Sequence, residues 1–150
     1  MADIKTPEER SRNMSRIRSR DTRPEEYIRR ELFARGYRYR KNYSGIVGHP
    51  DLWLAKYNTA VFVNGCFWHR HKDCRYAYMP KSRMKFWTAK FTRNIERDRI
   101  VKQELIEQRI RMLTIWECTV KRMMRDGAVS RQLFNSIEEF LVSTEDSLEL

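Results

Sequence analysis

Pro50-Asp51-Leu52-Trp53-Leu54-Ala55-Lys56-Tyr57-Asn58-Thr59-Ala60-Val61-Phe62-Val63-Asn64 is the stretch on which the fold turns. Residues 51–55 and 59–63 are short apolar runs of strand character, and Lys56-Tyr57-Asn58 between them turns a hairpin. Further on, residues 82–109 read as one long helix with Phe86, Ile95, Val101 and Leu105 as its apolar positions. It gives way to residues 112–116, an apolar run of strand length. A strand, a crossover helix and a second strand form a right-handed crossover with parallel strands, while the hairpin contributes antiparallel ones. The predicted fold is α/β, a mixed central β-sheet flanked by helices.

The flanks supply the helices. Thr22 and Glu25 form a capping box, and the helix they start carries Ile28 and Leu32 at i and i+4 and ends at Gly36. Residues 37–40 alternate like a strand, and residues 130–141 predict a last helix with Leu133, Ile137 and Leu141 inward. A first capping box, Thr6-Pro7-Glu8-Glu9, predicts a helix over residues 7–18 that bears Arg10, Arg12, Arg16 and Arg18. Met14 and Ile17 are too little apolar surface to seat it on a core, so it reads as an arm that lies on a partner. The chain thus divides into a basic arm, 1–20, a catalytic-sized domain, 21–142, and an acidic tail, 143–150.

Charge identifies the class of partner. The 150 residues include 31 Lys and Arg against 20 Asp and Glu, a net charge of +11. Residues 1–43 hold 13 basic and 7 acidic side chains, and residues 65–102 hold 11 and 3. The last 19 residues carry five acids and no base. A field of this sign beside many aromatics points to a polyanion, nucleic acid above all. No apolar run reaches the ~18 residues of a membrane span, so a cytoplasmic monomer without membrane attachment is the expectation.

Cys66, His71 and Cys74 are closely spaced, and Cys118 follows the predicted strand at 112–116. Three thiolates and an imidazole fill a tetrahedral zinc shell with no open position, which makes the zinc structural. Buried unreactive thiols with a solvent-facing His71 are the alternative. If residues 51–55 and 59–63 pair as a hairpin, Asp51 comes near the carbonyl of Val63 and the side chain of Asn64, an oxygen-rich corner that suits Mg²⁺. Phosphodiester hydrolysis needs such a metal and a group that moves protons, and His69 lies five residues past Asn64. Glu25 offers a second carboxylate, with an N-cap role as its alternative, and His69 is a second choice as zinc ligand. Phe67, Trp68, Phe86 and Trp87 bracket the zinc loop with Arg70, Lys72, Arg75, Lys81, Arg83 and Lys85 between them. Aromatics interleaved with bases suit a wedge that unstacks DNA, although spacing alone favours core packing.

Taken with Asn13-Met14-Ser15-Arg16-Ile17, Asp21-Thr22, Asn94-Ile95-Glu96-Arg97-Asp98 and Trp116-Glu117-Cys118, the strings Pro50-Asp51, Gly65-Cys66-Phe67-Trp68-His69 and Phe86-Trp87 resemble the very short patch repair endonucleases, the DNA mismatch endonuclease family. The resemblance runs from about Arg10 to Cys118. It implies a restriction-endonuclease-like core and an enzyme that nicks one strand of duplex DNA 5′ to the thymine of a T:G mismatch, the lesion left by deamination of 5-methylcytosine. It implies Mg²⁺ at Asp51 and the backbone carbonyl of Val63, structural Zn²⁺ at Cys66, His71, Cys74 and Cys118, and proton transfer at His69. Phe67, Trp68 and Trp87 would wedge into the duplex, and the helix with Met14 and Arg16 would grip the other groove. Asn64 stands where the family pattern has a second catalytic histidine; it can hydrogen-bond a phosphate or water but does not titrate near neutrality. A restriction-type nuclease for intact duplex, or a zinc-bearing DNA-binding module without catalysis, predicts the same charge and the same zinc.

Overall fold

The computed structural model describes residues 21–150, so the expected arm with Met14 and Arg16 lies outside the described residues. Its centre is a five-stranded mixed sheet in the order β1-β2-β3-β4-β5. The strands are β1 (Arg40–Lys41), β2 (Leu52–Leu54), β3 (Thr59–Asn64), β4 (Arg111–Trp116) and β5 (Ser147–Glu149). The hairpin β2–β3 is antiparallel with Leu52 opposite Val61 and Leu54 opposite Thr59. Between its strands a 3-10 turn over Ala55–Tyr57 ends at Asn58, which takes the left-handed conformation (φ 51°). Asn tolerates that region because its short amide finds local partners. Here the Asn58 amide donates to the Arg109 carbonyl at 2.8 Å, which ties the hairpin tip to the entry of β4.

Strands β3 and β4 are parallel, as a crossover through a helix requires. That helix is α2 (Met84–Glu107), and α1 (Arg23–Ala34), α3 (Glu117–Arg125) and α4 (Gly127–Val142) complete the set. Alternation along the strands sorts the two faces of the sheet. Leu52, Leu54, Val61, Val63, Leu113 and Ile115 enter one core with Ile28 and Leu32 of α1, Val120 and Met123 of α3 and Phe134 and Ile137 of α4. Helix α2 takes the other face, where Val101 meets Phe62 around Gly48.

Three expectations change. On α2, Phe86 and Ile95 are 42% and 52% exposed, and the buried side chains are Trp87, Phe91 and Leu105. Val101 and Leu105 face inward as expected, while Asn94 and Asp98 continue the Trp87–Phe91 stripe at helical spacing, so reading apolar residues alone misplaces the N-terminal half of the helix. Helix α3 was not anticipated. Nine residues made too short a signal between a strand and a longer helix. Finally, the segment set apart as an acidic tail supplies β5, parallel to β4. Arg111 draws it in, donating to the carbonyls of Glu145, Phe140 and Leu141 at the C-terminal end of α4, where a cation also meets the helix dipole. Trp116 fixes the far end by donating its indole N–H to Glu149 at 2.8 Å.

Candidate active site and metal centre

A cavity of about 930 Å³ opens where the C-terminal end of β3, the N-terminus of α1 and the middle of α2 meet. Asp51, Asn64, His69 and Glu25 all line it, so the structure gathers the four residues expected to carry chemistry. The Asp51 carboxylate accepts the backbone N–H of Val63 at 2.7 Å. In an extended strand the N–H and C=O of one residue point to the same side, so the Val63 carbonyl faces the same edge. Continuing the hairpin register outward opposes Val63 to Pro50, and proline has no N–H to give that carbonyl. A carboxylate beside a carbonyl without a backbone donor is a donor set that fits a hard cation.

Electrostatics agree with the fit. Burial and, second, the nearby Glu25 carboxylate push Asp51 up to about 7, while the Val63 N–H, Arg29 and His69 pull the other way. Two carboxylates that disfavour each other's charge are relieved together by a cation. Glu25, only 4% exposed, is held by its Oε2, which accepts the Asp21 N–H at 2.7 Å and Arg29 Nη2 at 3.0 Å. Thr22 accepts the Glu25 N–H in return, so the capping role and the site role fall on one residue. Arg29, itself buried, also pairs with Asp21 at 2.8 Å.

His69 stands opposite, its Nδ1 2.7 Å from Asp98 Oδ2. A carboxylate at Nδ1 fixes the tautomer and leaves Nε2 for the reacting groups. Asn94, one turn before Asp98, donates to the Trp68 carbonyl at 3.0 Å and so fixes the loop that carries His69. Neither Asn94 nor Asp98 had been given a role; the signal was their i, i+4 spacing within the buried stripe of α2.

The second constellation assembles beside it. Ligand atoms of Cys66, His71, Cys74 and Cys118 all lie within 4.8 Å of one another, and Nδ1 of His71 is 3.5 Å from Sγ of both Cys66 and Cys118. At a tetrahedral centre with Zn–S of about 2.3 Å and Zn–N of about 2.0 to 2.1 Å, sulfur and nitrogen ligands stand roughly 3.5 Å apart. Burial pushes the metal-free Cys66 thiol up to about 12, so a thiolate there calls for a cation. The Cys118 N–H at the start of α3 points at Cys66 Sγ (3.4 Å), and Trp116 stacks on His71 with ring centroids 4.1 Å apart. Cys118 therefore reaches the zinc loop because β4 ends and α3 begins next to it.

Between cavity and zinc loop lies an aromatic cluster. Phe67 touches Trp68, Tyr78, Trp87 and Phe91 at centroid distances of 5.0 to 5.4 Å. Phe67 and Trp68 are half-buried, whereas Trp87 is 6% exposed. Arg70 clamps the loop by donating to the carbonyls of Phe67, Ala77 and Tyr78 while lying 3.9 Å over Phe91. No helix among the described residues is long and apolar enough to cross a membrane.

Comparison with known proteins agrees with this arrangement. The family described as "DNA mismatch endonuclease Vsr" matches residues 2–76. The "Type II nicking enzyme V.NmeAIP" of Neisseria meningitidis is 42% identical over 137 residues, covering 91% of this chain and 94% of the relative. The "Type II nicking enzyme V.XorIIP" of Xanthomonas oryzae is 35% identical over 138 residues, 92% and 98% of the two chains. The "DNA mismatch endonuclease Vsr" of Escherichia coli is 34% identical over 141 residues, 94% of this chain and 88% of the relative. A cavity that gathers Asp51, Glu25 and His69, a Cys₃His group that could hold a metal and relatives matched along nine-tenths of the chain lead to one assignment: this chain belongs to the DNA mismatch endonuclease Vsr family and is an endodeoxyribonuclease.

Proposed function

We propose that this protein nicks one strand of duplex DNA 5′ to the thymine of a T:G mismatch, with Mg²⁺ as catalytic metal and Zn²⁺ as structural metal. The observation that carries the reading is the convergence of Asp51, Glu25 and His69 on one cavity edged by the Val63 carbonyl. Asp51 and the Val63 carbonyl hold the Mg²⁺, and Glu25 faces the same corner. Bound there, the cation supplies charge neutralisation at the phosphate and a hydroxide at neutral pH. His69, oriented by Asp98, moves the proton, and Asn64 hydrogen-bonds a phosphate oxygen or water. Cys66, His71, Cys74 and Cys118 hold the zinc, which fixes the loop that presents Phe67, Trp68 and His69.

Phe67 and Trp68 form the wedge beside the mismatch, with the buried Trp87 packed behind them as the wedge's base, and residues 1–20, with Met14 and Arg16, grip the duplex from the other side as a basic arm. The protein acts as a monomer in the cytoplasm. Support for the substrate comes from the relatives, one a DNA mismatch endonuclease and two nicking enzymes. The test is incubation with end-labelled duplexes carrying T:G, other mismatches or none, in Mg²⁺ or without it. Mg²⁺-dependent scission confined to the T:G strand agrees with the proposal. Cleavage of matched duplex on both strands makes the protein a restriction-type nuclease, and binding without scission makes it a DNA-binding module.

A further inference from the structure

An exposed histidine, His49, stands two residues before Asp51, next to the proposed metal corner. His49 lines the cavity together with Asp51 and Asn64. Extended by three residues, the β2–β3 register that pairs Leu52 with Val61 brings His49 across from Asn64. The polar residues at the mouth of the hairpin therefore stand on both strands. The backbone around His49 is held in an uncommon conformation. His49 and Gly48 both have positive φ, 48° and 82°. A Cβ at Gly48 would come within 2.5 Å of Val101 and 3.2 Å of Phe62, so the chain passes against α2 and the sheet where only glycine fits. Three backbone bonds pin the approach: His49 N–H to Ile46 O (3.1 Å), Tyr43 N–H to Pro50 O (3.1 Å) and Asn42 N–H to Asp51 O (2.9 Å). Histidine is among the residue types that adopt the left-handed region, and the fixed backbone there holds the His49 side chain at the rim of the cavity.

We propose that His49 binds a phosphate of the strand being cut, a contact on the β2 side of the cavity opposite Lys90 and Arg97 of α2, which line the other wall. The inference rests on the reading of this cavity as a phosphodiesterase site. An imidazole offers at least one N–H in either protonation state, so the contact to a phosphate oxygen persists across the working pH range and asks no proton transfer of His49. With Asn64 across from it, the site holds the phosphate by two donors at the hairpin mouth and leaves proton movement to His69.

The test compares His49→Gly and His49→Gln with wild type on a T:G duplex in Mg²⁺. Glycine removes the side chain without opposing the left-handed backbone, and glutamine keeps an N–H donor that does not titrate. A hydrogen bond to a charged group corresponds to roughly a tenfold to hundredfold loss in kcat/KM for His49→Gly, carried mainly by kcat because the contact is to the reacting phosphate. His49→Gln recovers most of the rate, with a pH profile parallel to wild type, and both variants melt near the wild-type temperature. Wild-type rates in His49→Gly overturn the proposal, and so does a His49→Gln enzyme whose pH profile has lost a limb, since His49 would then carry a proton. A wild-type protein that fails to nick the T:G duplex refutes the broader reading instead, so the two failures are distinguishable.

Discussion

Under the proposed function Asp51 meets opposing demands: holding the metal calls for its charge, and the fold resists it. Its carboxyl, raised to about 7 from 3.8 by burial and then by Glu25, holds a proton in the metal-free folded chain that the unfolded chain has already released. Its contribution to stability is thus fully present below about pH 4 and is lost as pH climbs through 7, above which folding carries a buried charge. Asp51→Asn, neutral throughout and still able to accept the Val63 N–H, should melt higher than wild type at pH 8 without added Mg²⁺. The gain should be up to roughly 4 kcal/mol and vanish toward pH 4. Melting curves across pH check this, and Mg²⁺ should narrow the difference by restoring a partner to the wild-type carboxylate. The partner of His69 is testable in the same way. Asp98→Asn keeps a hydrogen bond but relaxes the tautomer, so nicking should fall by about tenfold to a hundredfold with DNA affinity nearly unchanged. Equal losses in rate and affinity would make Asp98 a structural residue.

Helices and strands explain why those side chains meet. The hairpin was legible because Asp51, Asn64 and the β-rich runs between them lie close together in the chain. The Cys₃His group was legible because three of the four residues fall within nine residues, 66–74. Less legible were contacts made by a helix face that mixes apolar and polar side chains: Asn94 and Asp98 extend the Trp87–Phe91 stripe toward the cavity, and polar residues do not register in an apolar periodicity. Cys118, a proposed zinc ligand, belongs to α3, and a metal bound there should stiffen the link between β4 and the 65–80 loop. Cys118→Ser should lower the one-zinc stoichiometry and the melting temperature together, because metal binding free energy is folding free energy. Metal analysis beside calorimetry measures both. The aromatics divide by burial: Trp87→Ala should cost ~3 to 5 kcal/mol of stability, whereas Trp68→Ala should cost less and act chiefly on preference for mismatched over matched duplex. Equal melting temperatures for the two variants would refute the division.

Across the molecule, the +11 charge is carried by residues 1–43 and 65–102, the stretches that flank the cavity in sequence, while five acids gather in the last 19 residues. The structure turns part of that acidic stretch into β5 at the sheet edge, where Arg111 and Trp116 bind it. The central claim is that Asp51 in this cavity makes the cut at a T:G mismatch. Single-turnover nicking of a labelled T:G duplex, measured with Asp51→Asn beside wild type in Mg²⁺ and paired with binding titrations, tests it most directly. The account predicts scission 5′ to the mismatched thymine by wild type, none by the variant, and dissociation constants within a fewfold of each other; nicking by Asp51→Asn at the wild-type rate would contradict it.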